Sequence, residues 1–498
     1  MEGHNKVENH EVAKANEKFV ETLDGNADAE AYAAAATVFS ADEEKKYLRK
    51  LDWNLIPLIS AIYLCSFLDR SNIGNAKTAG LLKDLNMSDA QFSWLLTIFY
   101  IPYILFEWCA LLWKVFPANY YVFSVVFFWG TISILQSVAK NWAGMMALRF
   151  FLGLAEAAYG PGIPFFLSFF YKRHEVPLRS GIFLSCAPLA NAFAGALAYG
   201  ITSGHTHIHN WQLLFIVEGA PTILMSFVAL FFLPNSAPTA RFFNEREKEI
   251  ATARLAVQTG STTVKLGLDF KQIREALLEP RSWIIALMYF CINVSFSSLS
   301  VFMPTILEQM GYTSVHAQGM SAPPYVFAFL CTVTATFLAS KFQWRSAIII
   351  PAAATSAVGY LLLAVVSTVG VRYFALFICA AGMFCSVAVI MPWAVDNQGT
   401  DSKKGTGMFL LNLIGQCGPI LGTRMFPSSD SPRYFRGMWV CFGCLVAVMA
   451  LAIINRLYLQ FLNHRLDKRW GKVEEQRAEE IDEVGVEREF NPTYRYII

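Results

Sequence analysis

At residues 53–68 the chain reads WNLIPLISAIYLCSFL, then Asp69 and Arg70 interrupt the apolar run, and SNIGNAKTAGLL follows. At about 1.5 Å per residue the run covers roughly 24 Å, short of a hydrocarbon core about 30 Å thick. A helix that crosses must therefore carry Asp69, Arg70 and Asn72 at membrane depth. Ionisable groups there are costly and face a polar cavity or a partner. The alternative is a short helix whose polar end rests at the interface. If the helix crosses, the pair is the best single pointer to what the protein handles.

The rest of the chain repeats the pattern. Apolar residues make up 55% of the 498 and charged ones 16%, which excludes a soluble multidomain protein. Apolar stretches long enough to span occur at 50–81, 90–113, 120–139, 142–171, 179–203 and 211–233, then at 282–310, 320–341, 346–367, 371–396, 405–426 and 435–461. The expected fold is all-α and membrane-embedded, twelve helices in two six-helix halves. The expected segments are a polar tail at 1–49, a first half at 50–233, a charged connection at 234–281, a second half at 282–461 and a tail at 462–498. Within the connection, RFFNEREKEIATARL and DFKQIREALLEP pattern as surface helices. Equal helix counts and loop polarity fit parallel repeats with a binding site between the halves near the midplane.

Charge sidedness orients the chain. Lys114, Lys172, Arg173, Arg179, Lys341, Arg345, Lys403 and Lys404 fall in loops on the side of the termini, as do the basic residues of the connection. The positive-inside tendency then places both termini in the cytoplasm, with the plasma membrane as the expected location. The start of the chain lacks the basic-then-apolar pattern of a cleaved signal, so the first span is expected to act as the anchor. The ten cysteines lie within apolar spans and read as packing residues, Cys441 and Cys444 included. No GxxxxGK[ST] loop occurs, so nucleotide-driven transport by this chain alone is excluded, and an enzyme is not expected. No cofactor, metal or nucleic acid is expected. His205, His207 and His209 alternate in a loop read as solvated, and Asn86-Met87-Ser88 fits a glycosylation acceptor.

In the fourth span, ALRFFLGLAEAAYGPG, Arg149 and Glu156 stand two turns apart on one helix face, with Gly153 between them permitting close helix approach. A carboxylate in a low-dielectric cavity is a natural proton carrier, protonated when the nearby cation is engaged elsewhere and ionised when the cation turns to it. The simpler role for Glu156 is structural pairing with Arg149. Asn191, Glu218, Asn293, Asn412 and Gln416 are further polar groups at membrane depth, which line a cavity or tie helices together. Tyr63, Tyr289 and Tyr325 are candidates for aromatic cavity walls, and Asp396-Asn397-Gln398 for a cap or gate.

SFLDRSNIGNA (66–76), LTIFYIPYILFE (96–107) and LRFFLGLAEAAYGPG (148–162) resemble the anion:cation symporter branch of the major facilitator superfamily. SVFMPTILEQMGYTS (300–314), APPY (322–325) and FPSSDSPRYFRG (426–437) are similar to its fungal allantoate, nicotinate and pantothenate permease-like members. The resemblance covers about residues 45–462. It implies the major facilitator fold, with Asp69 and Glu156 as proton sites and Arg70 and Arg149 gripping or organising a substrate carboxylate. Asn191, Asn293 and Asn412 are the accompanying candidates for substrate binding, and Glu107 and Lys114 for gating. Two loops depart from the family pattern. LLWKVFPANYY keeps only Lys114 of the usual basic set, and ASKFQWRS has Lys341 where relatives commonly carry Asp.

The expected function is proton-coupled uptake of a small organic anion by a monomer. Protonation of Asp69 and Glu156 frees Arg70 for the substrate, and restored Asp69–Arg70 pairing expels it. Export of a fungal secondary metabolite and nutrient sensing are the alternatives. GIFLSCAPLANAFAGALAYG (181–200) lacks the GxxxGPxxG of drug exporters, and the terminal tail is short for a sensor.

Overall fold

The computed structural model describes residues 39–172, 175–204, 207–259, 270–398, 401–471 and 495–498. The first half consists of α1 (Ala41–Thr78), α2 (Asp89–Leu105), α3 (Ala118–Leu135), α4 (Trp142–Glu156), α5 (Val176–Thr202) and α6 (Asn210–Phe232). The connection carries α7 (Glu245–Thr259) and α8 (Phe270–Leu278). The second half consists of α9 (Pro280–Gln309), α10 (Ser314–Phe342), α11 (Arg345–Val365), α12 (Val369–Asp396), α13 (Asp401–Gly415) and α14 (Phe435–Trp470). The helix starts follow local chemistry. Ser40 with Glu43 and Ser88 with Gln91 close reciprocal capping boxes on α1 and α2, and Asn141 and Thr313 cap α4 and α10.

Helix α1 settles the opening question. It runs unbroken through Asp69 and Arg70 to Thr78, so the pair lies within a span and not at its end. It also begins earlier than its apolar run, at Ala41, because its first turns project beyond the membrane. There Lys50 pairs with Glu247 of α7 at 2.6 Å, and Asp52 takes a two-pronged bond from Arg179 of α5. Likewise α14 continues to Trp470.

Nine helices among the described residues are long and apolar enough to cross on their own. The other three spans, the second, fourth and eleventh, are broken. Pro102 cannot donate within α2, and after Phe106 the chain tightens into a 3₁₀ turn over Glu107–Lys114. The fourth breaks at Tyr159-Gly160-Pro161-Gly162 and resumes over Ile163–Leu167. The eleventh breaks at Gln416 before Cys417–Gly422. Backbone freed at membrane depth needs a new partner, and the Trp113 indole N–H donates to the Ala158 carbonyl at 3.0 Å. The continuous spans read at 90–113, 142–171 and 405–426 are thus interrupted, each near a proline or glycine.

The halves meet where α1 packs on α9, α5 on α10, and α2 on the segment Cys417–Gly422. Gly74 lets α1 approach the Val301 carbonyl of α9, where any Cβ would collide. On the face opposite the termini the seam is hydrogen-bonded. Ser314 Oγ donates to the Thr78 carbonyl at 2.8 Å, Gln318 Nε2 to Thr78 Oγ1 at 2.9 Å, and Thr202 Oγ1 to Gln318 Oε1 at 2.7 Å. Arg424 stacks on Trp94, 4.2 Å from its centroid, and donates to Thr97. These contacts tie the two halves together on that face.

On the terminal face, residues 495–498 are stitched to the second half. Asn463 and Asn397 each exchange two hydrogen bonds of 2.8–2.9 Å with the backbone, at Tyr496 and Ile497 respectively. The Tyr496 ring lies under Arg281. Nearby, Arg345 pairs with Asp396 at 2.7 Å, which ties the start of α11 to the end of α12.

Candidate functional site

The broken spans and α1, α5, α9 and α12 enclose a cavity between the halves. Its walls include Tyr63, Phe67, Arg70, Tyr100, Tyr103, Phe183, Tyr289, Asn293, Phe296, Asn412 and Gln416. The lining is aromatic with one cation and a few amides, a composition suited to a small ring-bearing or apolar anion. Tyr63 and Tyr289 serve as walls; Tyr325 does not, since its hydroxyl is tied to the Leu299 carbonyl.

Arg70 is the cation, and its partner is Glu156. Its Nε and Nη2 donate to Glu156 Oε2 at 3.3 and 2.9 Å, and Ser66 Oγ, one turn back on α1, donates to the same oxygen at 2.9 Å. Glu156 Oε1 has no partner among the described residues. Glu156 is 1% exposed and is the last residue of regular α4, placed there by the Gly-Pro-Gly break. The Arg70 guanidinium lies 4.9–5.7 Å from the ring centroids of Tyr103, Phe99 and Phe67. Rings desolvate the cation while their faces attract it. Gly153, against the Phe99 carbonyl, brings α4 close enough to α2 for this arrangement.

Asp69 does not pair with Arg70, contrary to expectation. Adjacent helical residues point about 100° apart, so Arg70 faces the cavity while Asp69 faces the interior of the first half. There Ser133 Oγ of α3 donates to Oδ1 at 2.5 Å and Thr222 Oγ1 of α6 to Oδ2 at 2.9 Å. Asp69 has no exposed surface.

The remaining candidates divide. Asn293 and Asn412 line the cavity, Asn293 donating to the Gly415 carbonyl at the break in the eleventh span. Asn191 does not; it donates to Ser300 Oγ of α9 and ties the halves. Arg149 is not in the lining either. It is 2% exposed, with Nε and Nη2 unpartnered among the described residues, and its charge acts on Glu156, Tyr100 and Asp69. Glu156, two turns along the same helix, reaches Arg70 of the cavity wall, whereas Arg149 is not among the residues lining it. Glu107 is buried near the Asn412 amide and so faces the other half. Lys114 ends the 3₁₀ turn, and its side chain lies outside the described residues.

Sequence reasoning missed Ser66, Ser133 and Thr222, since a single hydroxyl in an apolar span looks the same whether it serves a carboxylate or its own helix backbone. The aromatic box was visible in LTIFYIPYILFE, but not which rings reach Arg70. Of the histidines, His209 bonds Asp84 at 2.8 Å, and His205 lies outside the described residues.

Comparisons with known proteins agree with this architecture. The solved proton:xylose symporter of the major facilitator superfamily, bound to 6-bromo-6-deoxy-D-glucose, superposes with a TM-score of 0.63 at 13% identity over 84% of this chain and 96% of that one. That likeness concerns the fold. The MFS transporter prlL of Fungal sp. (strain NRRL 50135) is 34% identical over 451 residues, 87% of this chain and 90% of the relative. The high-affinity nicotinic acid transporter of Saccharomyces cerevisiae is 30% identical over 416 residues, 83% of this chain and 77% of the relative. The family model described as Major Facilitator Superfamily matches residues 59–423. A two-half bundle with broken helices around a central cavity, matched by family and relatives over most of its length, makes this chain a member of the Major Facilitator Superfamily and a membrane transporter.

Proposed function

We propose that this transporter takes up a small organic monocarboxylate together with protons, with both termini cytoplasmic, at the plasma membrane and as a monomer. The observation that carries this is the Arg70–Glu156 pair: one cavity-facing guanidinium, boxed by aromatic rings and held by one oxygen of a buried carboxylate. In this reading Glu156 competes with the substrate for Arg70. A proton on Glu156 weakens its hold and turns the guanidinium toward the substrate carboxylate, whose geometry matches the guanidinium fork. When the proton leaves, Glu156 recaptures Arg70 and the substrate departs. Asp69 serves as a second proton site, held apart from Arg70 and acting through the charge balance it shares with Arg149 and Glu156. Asn293 and Asn412 contribute polar contacts from the second half, and Glu107 gates beside Asn412.

The relative named for nicotinic acid makes nicotinate the first probe. The test is uptake of labelled nicotinate and pantothenate by proteoliposomes with an imposed inward-directed proton gradient. Accumulation that collapses with a protonophore is the expected result. Uptake indifferent to the gradient refutes the coupling, and uptake retained by Arg70→Ala refutes the site.

A further inference from the structure

Three helices converge where Ser133 and Thr222 bond Asp69. One turn further toward the face opposite the termini, each presents a polar side chain: Asn72 on α1, Gln136 at the end of α3, and Glu218 on α6. Exposure is 0%, 0% and 1%, respectively. Both polar atoms of all three lack a hydrogen-bond partner among the described residues. Six orphaned buried polar atoms in one layer are costly, and bound water making several hydrogen bonds is the usual resolution. The charge on Asp69 acts on Glu218 above it. Above it, the same α6 face carries Phe215 and Trp211, whose indole donates to Asp84 at 2.8 Å, beside the exposed His209.

We infer that Asn72, Gln136 and Glu218 form a buried water-binding proton site, with Glu218 as the carrier that relays protons between the face opposite the termini and Asp69. The route runs inside the first half, apart from the substrate cavity. In the relay step the O–H bond of Glu218 breaks, an intervening water accepts that proton and gives another to Asp69, and no other electron pair moves. The proposal rests on Asp69 being a proton site, as the proposed function has it.

The chemistry of the walls favours a proton over a metal cation. Cys65 of α1 and Asp69 are the ionisable groups acting on or beside Glu218, and Arg149 adds positive charge next to Asp69. The layer itself holds a single carboxylate beside two amides, and no group of three or more His, Cys, Asp or Glu that could hold a metal ion occurs among the described residues. From α3 no ionisable group follows Tyr121 within the span. On α5, Arg179 is engaged by Asp52, Cys186 by the Ile182 carbonyl, and Tyr199 lies by His316.

The experiment is infrared difference spectroscopy of the full protein in lipid nanodiscs, stepped from mildly alkaline to acidic buffer with choline as the only other cation. Wild type should show buried carboxylic-acid C=O bands, one lost in Glu218→Gln and another in Asp69→Asn. A Glu218→Gln spectrum identical to wild type overturns the proposal. Retention of all bands in Asp69→Asn, with the Glu218 band still lost in Glu218→Gln, sinks Asp69 as a proton site and leaves Glu218 standing as one. Should Glu218→Gln not fold, Gln136→Leu decides: the Asp69 band should follow the pH step more slowly, and an unchanged rate overturns the relay. Displacement of the bands by sodium in place of choline also overturns it, converting the layer into a cation site.

Discussion

Replacing Arg70 by alanine strands a charge. Glu156 Oε2 would lose the two guanidinium donors at 2.9 and 3.3 Å and keep only the Ser66 hydroxyl, with its Oε1 still unpartnered and the residue 1% exposed. Breaking a buried pair from one side costs about 3–5 kcal/mol, because the remaining charge is uncompensated. Glutamine at 156 removes that charge without changing shape. The double variant, Arg70→Ala with Glu156→Gln, should therefore recover all but about 1 kcal/mol, the net worth of a lost hydrogen bond. The two single variants and the double variant form a cycle whose coupling term isolates the pair. Unfolding of a membrane protein in detergent is commonly irreversible, so the readout is the rate of loss of tryptophan fluorescence at fixed temperature, ranked across the four proteins. The expected ranking places Arg70→Ala well below wild type and the double variant close to it. Uptake, measured in parallel, should be absent from both. If the single and double variants unfold at equal rates, the ion pair is not what holds this site. Uptake by the double variant would mean that the substrate is bound elsewhere.

Three further outcomes follow from the packing. Gly74→Val would push a side chain into the Val301 carbonyl and hold α1 off α9; overpacking of about 1–3 kcal/mol should favour the state open on that face, read as faster thiol labelling of a Ser314→Cys reporter. Arg345→Ala removes the 2.7 Å ion pair with Asp396 and should speed thermal inactivation; adding Asp396→Asn to Arg345→Ala should recover part of the loss. Deleting residues 495–498 removes five bonds to Asn397, Asn463 and Trp393, each with a net worth of about 1 kcal/mol, and should raise amide exchange at the end of α12 without touching the cavity.

The fold was legible because lipid leaves a chain few choices. Every backbone polar group must be paired within its own helix, so apolar length alone marks a span. Asp69, Arg70 and Glu156 were legible for the converse reason, as charges where charges are expensive. What could not be read was azimuth. Sequence adjacency suggested that Asp69 and Arg70 pair, while the 100° step of the helix sends them to different compartments. A spacing of seven suggested an Arg149–Glu156 pair, whereas two turns of rise, about 10 Å, lie between them and Glu156 bonds Arg70 instead. The breaks in the second, fourth and eleventh spans were also hidden. Proline and glycine are spread through nearly all twelve, and only tertiary support such as the Trp113 indole decides which of them open the helix.

The hydrogen bonds of the seam on the face opposite the termini join neutral partners, Ser314 with Thr78 and Gln318 with Thr78 and Thr202. Its charged contacts are Arg424, resting on an indole and a hydroxyl, and Lys77 of α1, which lies 5.5 Å from the Phe302 ring and acts on Glu308 of α9. A joint held mostly by neutral partners leaves dissolved ions one opposed pair to screen, Lys77 with Glu308. It also moves little charge through the field when it parts, whereas each elementary charge carried across is worth about 2.3 kcal/mol per 100 mV. Apart from that pair, voltage and ionic strength should have little hold on the opening of this door. Whatever voltage dependence the transport cycle has is then a property of the passengers and of the acids that accompany them, and current recordings on this protein would count charges in the cavity and not the movement of the gate.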